Sequence, residues 1–169
     1  VGYLHVGCAS LVGLVFLVGV VSKLRDLRGF AASVPGLVPG LPGRWTMPLA
    51  VLVVALEAVV AAGSVPPATR PYALCLAAAL LAAFGAAIGR VVAGGGPRAA
   101  CRCFGTRSAP LGVRHLVRNG VLFAACLLGL TASRPTPVAG AVVAAAAGAL
   151  AAVLIVSLDD LAHLLTGGS

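Results

Sequence analysis

The chain has 169 residues, 60% of them hydrophobic and 9% charged, against roughly 25% charged in an ordinary soluble domain. A water-soluble fold this small has too much surface to hide so much apolar material, and the mean hydropathy of +1.10 agrees, so an integral membrane protein in contact with the lipid bilayer is expected. The net charge is +8, but the basic residues fall between apolar runs, with no basic helix and no aromatic–basic interleaving; they read as topology signals, and no nucleic-acid partner is expected.

A bilayer-spanning helix needs about 20 mainly apolar residues. Five runs fit: 1–22, 47–65, 72–92, 116–131 and 138–158. The first lacks the basic n-region of a signal peptide and exceeds a typical h-region, so it reads as a span. It begins with Val1 rather than Met, as in a fragment or a chain started from a non-standard codon. The fourth is short and is expected to start near Val113, with Arg114 and Arg118 snorkelling to the interface. The fifth is nearly all Ala and Val; it could pack loosely at a bundle edge, but its length favours a span. The expected fold class is therefore all-α: a polytopic membrane protein with a four-helix transmembrane bundle over 1–132 and an additional C-terminal transmembrane helix and tail over 133–169.

The connectors carry the usual breakers. Pro35, Gly36, Pro39, Gly40, Pro42 and Gly43 fall in loop one, Pro66, Pro67 and Pro71 in loop two, Gly94–Pro97 in loop three, and Pro135 and Pro137 in loop four. Lys23, Arg25, Arg28 and Arg44 flank or occupy loop one, and Arg90, Arg98, Arg102, Arg107, Arg114 and Arg118 belong to loop three; Arg70 and Arg134 are alone in loops two and four. That contrast places loops one and three in the cytoplasm and the N-terminus outside. The Ala, Gly, Val and Arg bias is that of a GC-rich bacterial gene, which makes a bacterial inner membrane the expected location.

Glu57 is the sole acidic residue of the first four runs. It lies about 15 Å into its helix at ~1.5 Å per residue, near the bilayer midplane. Such a carboxylate is costly unless paired or protonated; it reads equally as a proton-relay or partner-binding acid and as interhelical glue. Lys23 is the tempting partner. With both helices upright its stem, reaching about 6 Å, falls short of that depth, so a direct pair requires helix one to be displaced, and an interfacial snorkelling lysine is the competing expectation.

Of the five cysteines, Cys8, Cys75 and Cys126 lie in apolar runs and read first as small hydrophobes, with Cys8 and Cys75 close enough in depth to form a second thiol pair. Cys101 and Cys103 differ. They occupy "AACRCFGTRSAP", a polar stretch in which Arg98, Arg102 and Arg107 and the start of the next helix favour thiolate. A disulfide across one intervening residue closes a strained ring, which suits transfer better than a permanent staple. The same pair suits a soft metal, with His115 or an external group as a third ligand, although two ligands are too few for structural zinc. From the residues alone, redox exchange, metal handling and an incidental pair all remain open. No quinone, haem or nucleotide motif is visible, and no cofactor is expected. The three histidines form no hydrolase pattern and are expected at the interface or in solvent.

Several separated features resemble one family. "GLVFLVGVVSKLRD" closes helix one with Phe16, Gly19, Lys23, Leu24, Arg25 and Asp26; Glu57 sits alone in helix two; Phe84 and Arg90 end helix three; "CRCFG" follows; and "RNGVL" opens helix four with Arg118 and Asn119. In that order they resemble the methylamine-utilisation MauE proteins within the DoxX-like group of redox-associated membrane proteins, over roughly residues 10–130. The resemblance implies a membrane-embedded factor for maturation of a partner protein, in the family's case the methylamine dehydrogenase small subunit. It also implies a possible thiol–disulfide oxidoreductase activity. Cys101 and Cys103 would be the redox pair, Lys23, Glu57, Arg102 and Asn119 the supporting polar positions, no metal a resident group, and a separate thioredoxin-like or client protein the partner. Arg102 departs from the family, where Gly is expected between the cysteines. The runner-up from a different class is a small transporter or metal-handling protein using the same cysteines and Glu57.

Overall fold

The structure is a computed structural model; it describes the backbone of residues 2–93, 100–101, 109–110, 113–132 and 137–166, and side chains over 2–93, 115–132 and 137–157. Six helices follow in chain order: α1 Gly2–Arg25, α2 Leu27–Leu37, α3 Thr46–Gly63, α4 Arg70–Ala93, α5 Val113–Thr131 and α6 Val138–Thr166. A 3-10 turn, Gly43–Trp45, leads into α3, and between α4 and α5 two short strands, β1 Ala100–Cys101 and β2 Ala109–Pro110, pair antiparallel. Among the described residues four stretches are long and apolar enough to cross a membrane, Gly2–Arg25, Gly43–Gly63, Arg70–Ala93 and Val138–Ser157, and His115–Thr131 is a shorter apolar helix. Their outer faces carry exposed Leu4, Leu17, Leu52, Val121, Leu128 and Leu154, the surface of a protein whose solvent is lipid. The chain is a multi-pass, all-α membrane protein: α1, α3, α4 and α5 form the bundle and α6 adds a fifth helix.

Most of the bundle core is apolar. Val12, Val15 and Phe16 of α1 meet Val60 of α3, Leu74 and Leu81 of α4, and Leu122 of α5. α6 does not pack loosely. It makes the most extensive contact of α1, and the pairs Tyr3–Gly140, Gly7–Ala144 and Leu11–Gly148 keep one offset, so the two helices run parallel. A Cβ on Gly148 would overlap the Gly7 carbonyl, and Ser10 Oγ donates to the Ala145 carbonyl at 2.9 Å. Small residues at four-residue spacing bring the backbones together, as in other lipid-embedded helix pairs.

Loop one is not simply a loop: α2 occupies its first half. Asp26 breaks α1 with a non-helical backbone and caps α2, its side chain accepting from the Gly29 N–H at 3.0 Å. The next residues place Phe30, Ala31, Val34 and Leu37 on one buried stripe at helical spacing. Pro35 falls in the last turn, where it costs one backbone bond and does not prevent the helix. The stripe packs with Val20 of α1 against Ala50 and Val54 of α3. At the opposite end, Arg70 donates to the Ser64 and Val65 carbonyls at 3.2 and 3.0 Å, so the lone cation of loop two caps the end of α3.

Candidate functional site

Lys23 lies inside α1, not beyond its end, and its ammonium donates to both oxygens of the Glu57 carboxylate, at 2.6 and 2.7 Å. The residues are 2% and 4% exposed. This corrects the expectation of a snorkelling lysine, and the register shows why. Gly13 faces Ser64, a Cβ there standing 2.8 Å from the Ser64 Cβ. From that level Lys23 is about 15 Å further along α1 and Glu57 about 10.5 Å back along α3. The lysine stem covers the difference. About the first third of α3 runs past the end of α1, and α2 packs against Ala50 and Val54 in the first half of α3, which is the displacement in depth that a direct pair requires.

Removing two charges from water costs several kcal/mol per ion, and only close geometry with further support recovers it. The support comes from two rings: the Lys23 ammonium lies 5.3 Å from the Phe30 centroid and 5.9 Å from that of Phe84, within cation–π range. The pair borders a cavity of about 40 Å³ lined also by Val15, Phe16, His115, Arg118, Asn119 and Leu122. At ~10–15 Å³ per water it has room for about three. Arg118 is near enough to Lys23 for the two positive charges to oppose one another. The site is therefore a small polar chamber walled by aromatic and aliphatic side chains, able to hold a polar group or to exchange a proton at Glu57.

Three of the residues singled out from sequence, Lys23, Glu57 and Asn119, line this one cavity. His115, Arg118 and Phe84 line it too, and none had been singled out as part of a site with Glu57. The signal was present: His115, Arg118, Asn119 and Leu122 repeat at i, i+3, i+4 and i+7, one face of a helix. Cys101 is placed by its backbone alone, in β1, which lies against α2. Phe30, which faces Lys23, belongs to the same helix. Arg102 and Cys103 lie outside the described residues. His5, expected at an interface, is buried, with Nδ1 2.8 Å from the Gly129 carbonyl oxygen. Among the described residues no group of three or more His, Cys, Asp or Glu is placed to hold a metal ion.

The family described as methylamine utilisation protein MauE matches residues 1–132, the stretch from the start of α1 to the end of α5. No curated protein and no solved structure matches the chain.

Proposed function

The chain belongs to the MauE family, and from that premise we propose that it is a membrane-embedded thiol–disulfide maturation factor acting on a separate client protein, with Cys101 and Cys103 as the exchanging pair. The observation that carries this reading is the position of β1: the strand bearing Cys101 rests on α2, the helix that closes over Lys23 and Glu57. The backbone of Cys101 and a buried ion pair thus both pack against α2. Exchange proceeds by attack of a thiolate on a disulfide sulfur through a mixed disulfide. Arg98, Arg102 and Arg107 favour the thiolate in this stretch. The oxidised pair closes a strained ring, which suits exchange with a client thiol better than a permanent staple. The arginine distribution favours a cytoplasmic face for this end in a bacterial inner membrane, and the family's description favours a client from methylamine metabolism.

Replacing Cys103 by Ser, and Cys101 by Ser in turn, tests the proposal. One of the two variants traps a mixed disulfide with the client on a non-reducing gel, and dithiothreitol releases it. If neither does so, the exchange reading fails. The partly open cavity beside Glu57 favours one second reading, a small transporter with Glu57 as its intramembrane proton or ion group. A pair that never changes redox state in native membranes, while the protein retains stoichiometric copper or zinc, selects that reading.

A further inference from the structure

Cys8, Cys75 and Cys126 lie far from the site above. Cys8 is about 22 Å from Lys23 along α1 at ~1.5 Å per residue. The three lie near one end of three helices. On α1 and α5 the register is set by the close approach at Gly129, which puts Cys8 opposite Gly129. Cys126 lies one helical turn from that contact, about 4.5 Å along the axis at ~1.5 Å per residue. A Cβ on Gly129 would stand 3.0 Å from the Cys8 Cβ, so the absence of a side chain at 129 lets α1 close onto α5 here. On α4 and α5 the contact of Gly85 with Leu116, carried ten residues back and ten on, reaches Cys75 and Cys126. Cys126 is within electrostatic reach of both other thiols. All three are free thiols, with Cys126 buried, Cys8 half-buried and Cys75 on the exposed face of α4.

We propose that Cys8 and Cys126 are a second dithiol site, which closes into an α1–α5 disulfide by exchange with an organic disulfide that reaches it from the lipid. Cys8 is the partner of Cys126 because α1 and α5 are in close contact at Gly129, whereas Cys75 points out of the bundle. Disulfide formation needs Cβ atoms about 3.5–4.5 Å apart. Positions 126 and 129, one helical turn apart, have Cβ sites about 5–6 Å apart, and Cys8 already touches the second of them, so a small slide of α5 and a change of side-chain rotamer close the bond. Cys8, the more accessible thiol, attacks first. Its sulfur bonds to one sulfur of RSSR, the S–S bond breaks, and the leaving RS⁻ takes up the proton that Cys8 gave up. Cys126 then attacks the Cys8 sulfur and expels the second RS⁻, which takes the Cys126 proton. Two protein thiols become one disulfide, and RSSR gains the two electrons and two protons as two RSH. The site is independent of Cys101 and Cys103 and does not rest on their proposed role.

The test uses the full chain in membranes with Cys75, Cys101 and Cys103 replaced by Ser, leaving Cys8 and Cys126, and the membrane-permeant probe 4,4′-dithiodipyridine. The expected result is release of two equivalents of thiopyridone, a Cys8–Cys126 peptide cross-link by mass spectrometry, and recovery of both thiols with dithiothreitol. A further Cys126→Ala replacement leaves Cys8 as a stable pyridyl mixed disulfide and halves the release. Two stable pyridyl adducts without a cross-link overturn the proposal. So does a Cys75–Cys126 cross-link, with none from Cys8, when Cys75 is restored. Because Cys101 and Cys103 are absent, neither failure bears on the client-trapping experiment.

Discussion

Around Lys23 the helices are held apart by two charges, two rings and a cavity, whereas along the α1–α6 seam, from Tyr3 to Leu11, they meet backbone to backbone through small and uncharged residues. One helix serves both regions. Its Tyr3, Gly7 and Ser10 face α6, and its Phe16 and Lys23 face the chamber. The seam illustrates how lipid-embedded helices gain stability, through close van der Waals packing of small residues. The chamber illustrates the reverse. A buried ion pair seldom stabilises more than apolar residues of the same volume would, so its retention in a bundle already held by an apolar core points to the work done there.

The largest effect expected is at Glu57. Glu57→Ala leaves the Lys23 ammonium buried without its carboxylate and should destabilise the protein by about 3–5 kcal/mol, read as a fall in the unfolding midpoint in detergent. The double variant Lys23→Met, Glu57→Leu removes both charges and should recover most of that loss, while client trapping at Cys101 and Cys103 is lost. A double variant as unstable as the single one would make the pair a structural element like the seam, and the contrast between the two regions would collapse.

The seam offers the next effect. A methyl on Gly148 meets the Gly7 carbonyl, which is backbone and has little freedom to move. Gly148→Ala should cost about 1–3 kcal/mol, as overpacking does. Gly89, on α4, has nothing within 4 Å of its Cβ position, and Gly89→Ala should be neutral or stabilising by up to about 1 kcal/mol through helix propensity. Parallel thermal melts of the two variants separate them. Equal, small effects would mean that α6 is attached without close packing.

The spans were legible in the sequence because each is a run of apolar residues long enough for a bilayer, and the ordered set of Lys23, Glu57, Phe84 and Asn119 pointed to the family that residues 1–132 match. Depth was not legible. Whether Lys23 meets Glu57 depends on how far α3 runs past α1, which is set by the packing of α2, a helix hidden among prolines and glycines. Its cap and stripe, Asp26 followed by Phe30, Ala31, Val34 and Leu37, are readable, but Pro35 reads as a loop breaker whereas it falls in the last turn. The cationic face of α5 was obscured differently. The helix begins at Val113, where its start is expected, but Arg118 reads as a snorkelling interfacial charge because nearness to a helix end does not say which face turns inward; here His115, Arg118 and Asn119 line the cavity. The approach of Cys8 to the turn of α5 that carries Cys126 depends on the missing side chain at Gly129, which no local pattern reveals.

The smallest effect tests how the chamber is closed. Asp26 is the single residue between α1 and α2, and its carboxylate accepts one of the N–H groups that a helix start leaves without a partner. Asp26→Ala should cost about 1 kcal/mol, and the loss should be local, because Phe30, Ala31 and Val34 still have an apolar surface to pack on. Backbone amides of α2 should then exchange with deuterium about fivefold faster while those of α3 hold their rate, and Asp26→Asn should keep most of the protection because Asn caps as well as Asp. If α3 loosens along with α2, the helix is not a separable cover over Lys23 and Glu57 but part of the same cooperative unit as the apolar core.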